Sequence, residues 1–141
     1  MSFQEIIRTL HCGGAYVVLF FLTLTILYSA YVAFSTQKND AILRKLSLFA
    51  LIFLHLQMIV GIVSYFISPM VQFNESTMKN SQLRLFAVEH PLMMLLGVIC
   101  ITVAHVKLKR ASVVTFKIPL LYLLGAILIL SRIPYDLWFS I

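Results

Sequence analysis

The sequence predicts an all-α membrane protein, an up-and-down bundle of four transmembrane helices, on three observations. Of its 141 residues, 61% are hydrophobic and 11% charged, and the mean hydropathy is +0.98, whereas soluble domains are near half apolar and a quarter charged. The apolar residues fall into four long runs, and the short segments between them hold nearly all the Lys, Arg, Asp and Glu. A backbone in lipid has no water to satisfy its amides and carbonyls, so each crossing run must be helical. The short connections leave no room for a second folded unit, so residues 1–141 form one domain.

The first run, about 13–34, is uncharged and has roughly the 20 residues that a helix needs to cross a ~30 Å hydrocarbon core. A secretory signal peptide is disfavoured there, because the run exceeds the usual apolar region and no A-x-A-like site follows. The second run, about 46–67, stops before Ser68-Pro69. The third spans about 85–106 and the fourth about 118–138. The sequon Asn74-Glu75-Ser76 is a frequent chance match.

Lys38, Arg44, Lys45, Lys107, Lys109, Arg110 and Lys117 lie on one side of this topology, against Arg8, Lys79, Arg84 and Arg132 on the other. The excess of cations places the first side in the cytoplasm. This implies a multi-pass protein of the cell inner membrane with both termini outside the cytoplasm. The net charge of +6 reads as topology and contact with the lipid bilayer, and nucleic acid is not an expected partner. Cys12 and Cys100 lie at different depths, so neither a disulfide nor a C-x-x-C metal site is expected.

Ionisable residues inside membrane spans are costly and by default mark function. All four histidines, His11, His55, His90 and His105, fall in or at the ends of the runs. His90 and His105 are about 15 residues apart, which puts them only ~60° off one helical face and ~22 Å apart along the axis. Gly97 lies between them and would let a flat cofactor approach the backbone. Helices one and three run parallel in an up-and-down bundle, so His11 and His90 can face each other across its centre at similar depth. His55 and His105 differ by roughly 10 Å in depth at 1.5 Å per residue, a weaker pairing. The small and polar stripe of helix two, through Ser47, Gln57 and Gly61, points away from His55.

Imidazoles paired along a bundle suit one or two haem b groups with axial nitrogens, whereas zinc needs three or four converging ligands. Arg132 and Arg8 are then candidates for the propionates, although an arginine snorkelling to the interface explains Arg132 equally well. Glu89 adjoins His90 as an orienting acceptor, a proton carrier or an interfacial residue. Gln57 is suited to interhelical packing or to a quinone oxygen.

Through Leu10-His11-Cys12-Gly13, Leu54-His55-Leu56-Gln57, Phe86-Ala87-Val88-Glu89-His90-Pro91 and Val103-Ala104-His105, the chain resembles the small four-helix cytochrome b-like membrane proteins of Bacteroidetes. The resemblance covers nearly every helix through short motifs and implies haem binding. Cys12 stands where that pattern has a serine, and Tyr135 where it has a tryptophan. A looser similarity to one four-helix half of haem A synthases lacks the acidic loop chemistry of those enzymes. The expected function is a b-type cytochrome-like protein transferring electrons, with a quinone or a subunit of a respiratory or other membrane complex as partner. The alternatives are a structural or assembly subunit without its own redox centre, and an enzyme acting on haem or a lipid.

Overall fold

The computed structural model describes residues 1–139 and is all-helical, with no β-strand among those residues. Helix α1 runs Phe3–Phe34, α2 Ala41–Ile67, α3 Ser81–Arg110, α4 Lys117–Ser131 and the single turn α5 Tyr135–Trp138. The first three are long and apolar enough to cross a membrane, whereas α4 has 15 residues, about 22 Å at 1.5 Å per residue.

Polar caps explain why the long helices outrun the apolar runs. α1 starts ten residues before the expected Gly13, because Ser2 and Glu5 form a reciprocal capping box. Asp40 caps α2 by accepting from the Leu43 amide at 2.8 Å, and Asn80 caps α3 by accepting from the Gln82 and Leu83 amides. A window of apolar residues finds the buried length of a helix, while its caps set where it begins.

The fourth helix differs in the other direction, ending at Ser131 rather than near residue 138. Pro134 has no amide hydrogen and drives the preceding Ile133 out of the helical region. The chain turns there, and α5 folds back over α1. Its Trp138 is 9% exposed, donates from Nε1 to the Cys12 carbonyl at 3.1 Å and stacks on Tyr16 at 4.7 Å.

A second proline shapes α3. Residues Leu85–Glu89 form a π-helical turn just before His90-Pro91, an irregularity often found at functional positions. Pro91 cannot donate to the carbonyl four residues back, that of Ala87. The Tyr65 hydroxyl of α2 donates to it instead, at 2.9 Å. A tyrosine thus supplies the hydrogen bond that a proline removes.

The four main helices pack as a ring in the order α1, α2, α3, α4, with α1 and α3 on one diagonal. Packing is most extensive within the α1–α2 and α3–α4 hairpins and lighter across the seam between them. Val18, Leu22, Thr25 and Ser29 of α1, Ala50 and Leu54 of α2, and Ile101, Ala104, Tyr122 and Ile129 of the other hairpin form the interior. Thr25 and Ser29 satisfy their hydroxyls on carbonyls of their own helix. The outside presents Phe20, Leu27, Ile59, Leu95, Ile99 and Ile127, an apolar exterior suited to lipid contact.

One end of the bundle, where α1 and α3 finish, carries the seven Lys and Arg counted above and is called here the cationic end. The opposite, histidine end holds His11 and His90.

Candidate functional site

His11 and His90 meet on the α1–α3 diagonal, their ring centroids 6.2 Å apart and their planes at 87°. The rings come from different hairpins, so they face each other across the seam. Each is oriented through Nδ1. The carbonyl of Arg132 accepts from Nδ1 of His90 at 2.8 Å. Since a carbonyl only accepts, the ring proton of His90 sits on Nδ1, and Nε2 keeps its lone pair.

His11 has the opposite tautomer. Nε2 of Gln57 donates to the His11 carbonyl and lies 3.1 Å from its Nδ1. An amide nitrogen only donates, so Nδ1 accepts and Nε2 of His11 carries the proton. Two glycines make room for this arrangement. A Cβ on Gly14 would collide with the Gln57 amide oxygen, and one on Gly61 would stand 2.9 Å from Cε1 of His11. The polar stripe of α2 therefore packs against α1, and Gln57 acts as an interhelical link.

The arginines behave differently from expectation. Arg132 pairs with Glu89 at 3.1 Å and Arg84 pairs with the other oxygen of Glu89 at 2.7 Å, so Glu89 clamps two cations beside His90. The Arg132 side chain is thus committed to a protein carboxylate instead of standing free for a propionate, while its backbone carbonyl holds the histidine. Arg8 is exposed on α1, one turn before His11.

The remaining expected residues do not join this site. Gly97 faces Gly125 and Ile129 of α4, and a Cβ on Gly97 would lie 3.1 Å from the Gly125 carbonyl. Its open face is filled by a helix, leaving no space there for a flat cofactor. His105 bonds through Nδ1 to Ser47 Oγ at 2.6 Å, and Ser47 in turn bonds the Tyr122 hydroxyl at 2.6 Å. His55 instead donates from Nδ1 to the Leu51 carbonyl of its own helix at 2.8 Å. Ser47 and His55 are about eight residues apart on α2, so His55 lies ~12 Å along the axis from the level of His105. The structure brings together one histidine pair, not two.

Cys12 and Cys100 are free thiols, and Cys100 donates to the Leu121 carbonyl at 3.4 Å. Among the described residues no group of three or more His, Cys, Asp and Glu converges as a metal site. Tyr65 and Trp138 were not legible as site neighbours from the sequence, although Pro91, which creates the need for Tyr65, was in view. Compared with models of known families, with curated proteins and with solved structures, the chain matches none.

Proposed function

We propose that the protein is a b-type cytochrome-like, four-helix protein of a cell inner membrane that binds one haem between His11 and His90 and exchanges electrons with a membrane partner. The observation that carries this reading is the meeting of the two imidazoles on the bundle axis. With ring centroids 6.2 Å apart, His11 and His90 are near enough to be the two residues that would hold one haem iron. His90 also donates from Nδ1 to a carbonyl, as histidine ligands usually do, whereas Nδ1 of His11 accepts from Gln57. The seam between the hairpins, which the two rings face, is also the less closely packed direction of the bundle.

Bound haem would supply a one-electron ferric/ferrous couple. The protein's own residues would orient it. His90 already presents Nε2, with the Arg132 carbonyl fixing its tautomer. His11 would present Nε2 only in its other tautomer, with the ring proton on Nδ1, and Gln57 would then leave Nδ1 while keeping its bond to the His11 carbonyl. Glu89 would hold Arg132, and hence the carbonyl that orients His90. Expression with ample haem, followed by a reduced-minus-oxidised spectrum and a pyridine haemochrome assay, should give α and Soret bands and one haem per chain. A purified, folded protein without these bands would rule the reading out.

A second reading, a structural or assembly subunit with no redox centre, is favoured by a different observation. Every histidine already has a hydrogen-bond partner within the protein. It predicts the same fold with no haem bands.

A further inference from the structure

The cations at the two ends of the bundle are treated differently. At the histidine end, Glu89 pairs with both Arg84 and Arg132. At the cationic end, Lys38, Arg44, Lys45, Lys107, Lys109, Arg110 and Lys117 are all exposed, and none pairs with a carboxylate among the described residues. The nearby acid Asp40 is occupied in capping α2 and accepting from the Tyr28 hydroxyl.

These cations come from two connections, and the fold fastens the two together. The Val114 amide donates to the Gln37 carbonyl at 2.8 Å, Lys38 bridges Val113, and Asn39 donates from Nδ2 to the Leu108 and Ala111 carbonyls at 2.7 and 2.8 Å. Gln37 takes a left-handed φ of 55° to make this turn, a conformation uncommon outside glycine. The result is one prearranged cationic platform in place of two independent basic loops.

Apolar side chains stand among the cations. Phe34 is 82% exposed, and Tyr31, Ile42 and Phe116 are also exposed at this end. Aromatic and basic residues interleaved at the end of apolar helices match the head-group layer of a bilayer, where rings sit at the interface and ammonium and guanidinium groups reach phosphates. A soluble polyanion would match the cations alone and leave the apolar groups unaccounted for.

We propose that the joined connections at the cationic end form a binding platform for anionic phospholipid head groups. The proposal is independent of haem. Purified full-length protein is equilibrated with mixed micelles holding equal amounts of palmitoyl-oleoyl phosphatidylglycerol and phosphatidylcholine, and retained lipids are counted by native mass spectrometry. The wild type is expected to retain phosphatidylglycerol preferentially. The triple variant Lys107→Gln/Lys109→Gln/Arg110→Gln should lower that preference at least about tenfold, each cation near an anionic surface contributing on the order of 1 kcal/mol. A triple variant of paired or remote cations, Arg8→Gln/Lys79→Gln/Arg84→Gln, should keep it. Equal retention of the two lipids by the wild type, equal loss in both variants, or displacement of phosphatidylglycerol by micromolar heparin would each overturn the proposal. If the first triple variant does not fold, Asn39→Ala provides the second arm. It leaves every cation and the backbone links in place but removes the two side-chain ties between the connections, and it should also weaken the preference. An unchanged preference in folded Asn39→Ala would contradict a prearranged platform.

Discussion

The seam between the two hairpins is closed by hydrogen bonds at the cationic end and by facing rings at the histidine end. At the cationic end, Asn39 ties the first connection to the end of α3, and Ser47 joins His105 to Tyr122. Ser47 and Tyr122 are fully buried, so these bonds form where water cannot replace them. At the histidine end, the described side-chain links across the seam are Tyr65 to Ala87 and Trp138 to Cys12, with His11 and His90 between. The contrast teaches that histidines in one bundle can do different work. His105 helps to lock the seam, while His11 and His90 sit where the seam is held by fewer bonds.

The largest effect should come from the lock. Asn39→Ala removes two hydrogen bonds, taking the Asn39 donor from the Ala111 carbonyl and leaving the Leu108 carbonyl only the Ala111 amide, and at about 1 to 1.5 kcal/mol per hydrogen bond the loss is on the order of 2 to 3 kcal/mol. Equilibrium unfolding in mixed micelles should show it, and an unchanged midpoint would mean that the cationic end is not fastened as described. Ser47→Ala strands the Tyr122 hydroxyl and should cost about 1 to 3 kcal/mol. Adding Tyr122→Phe should return part of that loss, because no buried hydroxyl then lacks a partner. Simple additivity of the two changes would argue against a shared network.

At the histidine end the expected effect is smaller and reversible by design. Tyr65→Phe removes the only hydroxyl serving the Ala87 carbonyl and should cost about 1 kcal/mol. Pro91→Ala restores an amide for that carbonyl, so Tyr65→Phe should cost less in the Pro91→Ala background. Equal costs in both backgrounds would separate Tyr65 from the proline.

The smallest effect concerns acid. Burial tends to raise the Asp40 carboxyl, but the Leu43 amide, the Tyr28 hydroxyl, the Ile42 amide and Arg44 together hold it below its ordinary range. A depressed folded value contributes stability that is present above the unfolded value, near 3.9, and is lost as pH falls through the folded one. Asp40→Asn keeps a helix cap without the charge and should flatten this part of the acid profile. An identical profile in the variant would assign the acid sensitivity elsewhere.

Much of this arrangement was legible in the sequence, for identifiable reasons. Helix positions followed from the apolar runs, and the meeting of His11 and His90 followed from parallel helices with histidines at matching depth. The depth mismatch of His55 and His105 was also visible, and the structure keeps them apart. Gly97 misled because a missing side chain admits a helix as readily as a cofactor, and only Gly125 opposite decides which. The end of α4 was misplaced because apolar Leu137 and Trp138 extend the hydrophobic run past Pro134, where the backbone cannot stay helical. Asn39 gave no local signal, since its partners lie on the other hairpin.

The central claim is that His11 and His90 jointly hold one haem, while His55 and His105 do not. It is tested most directly by haem content and difference spectra of His11→Ala, His90→Ala, His55→Ala and His105→Ala, each confirmed as folded. Loss of the haem signal in the first two, with full haem content and an unchanged low-spin spectrum in the other two, is the expected result. Full haem content and an unchanged spectrum in folded His11→Ala or His90→Ala would contradict it.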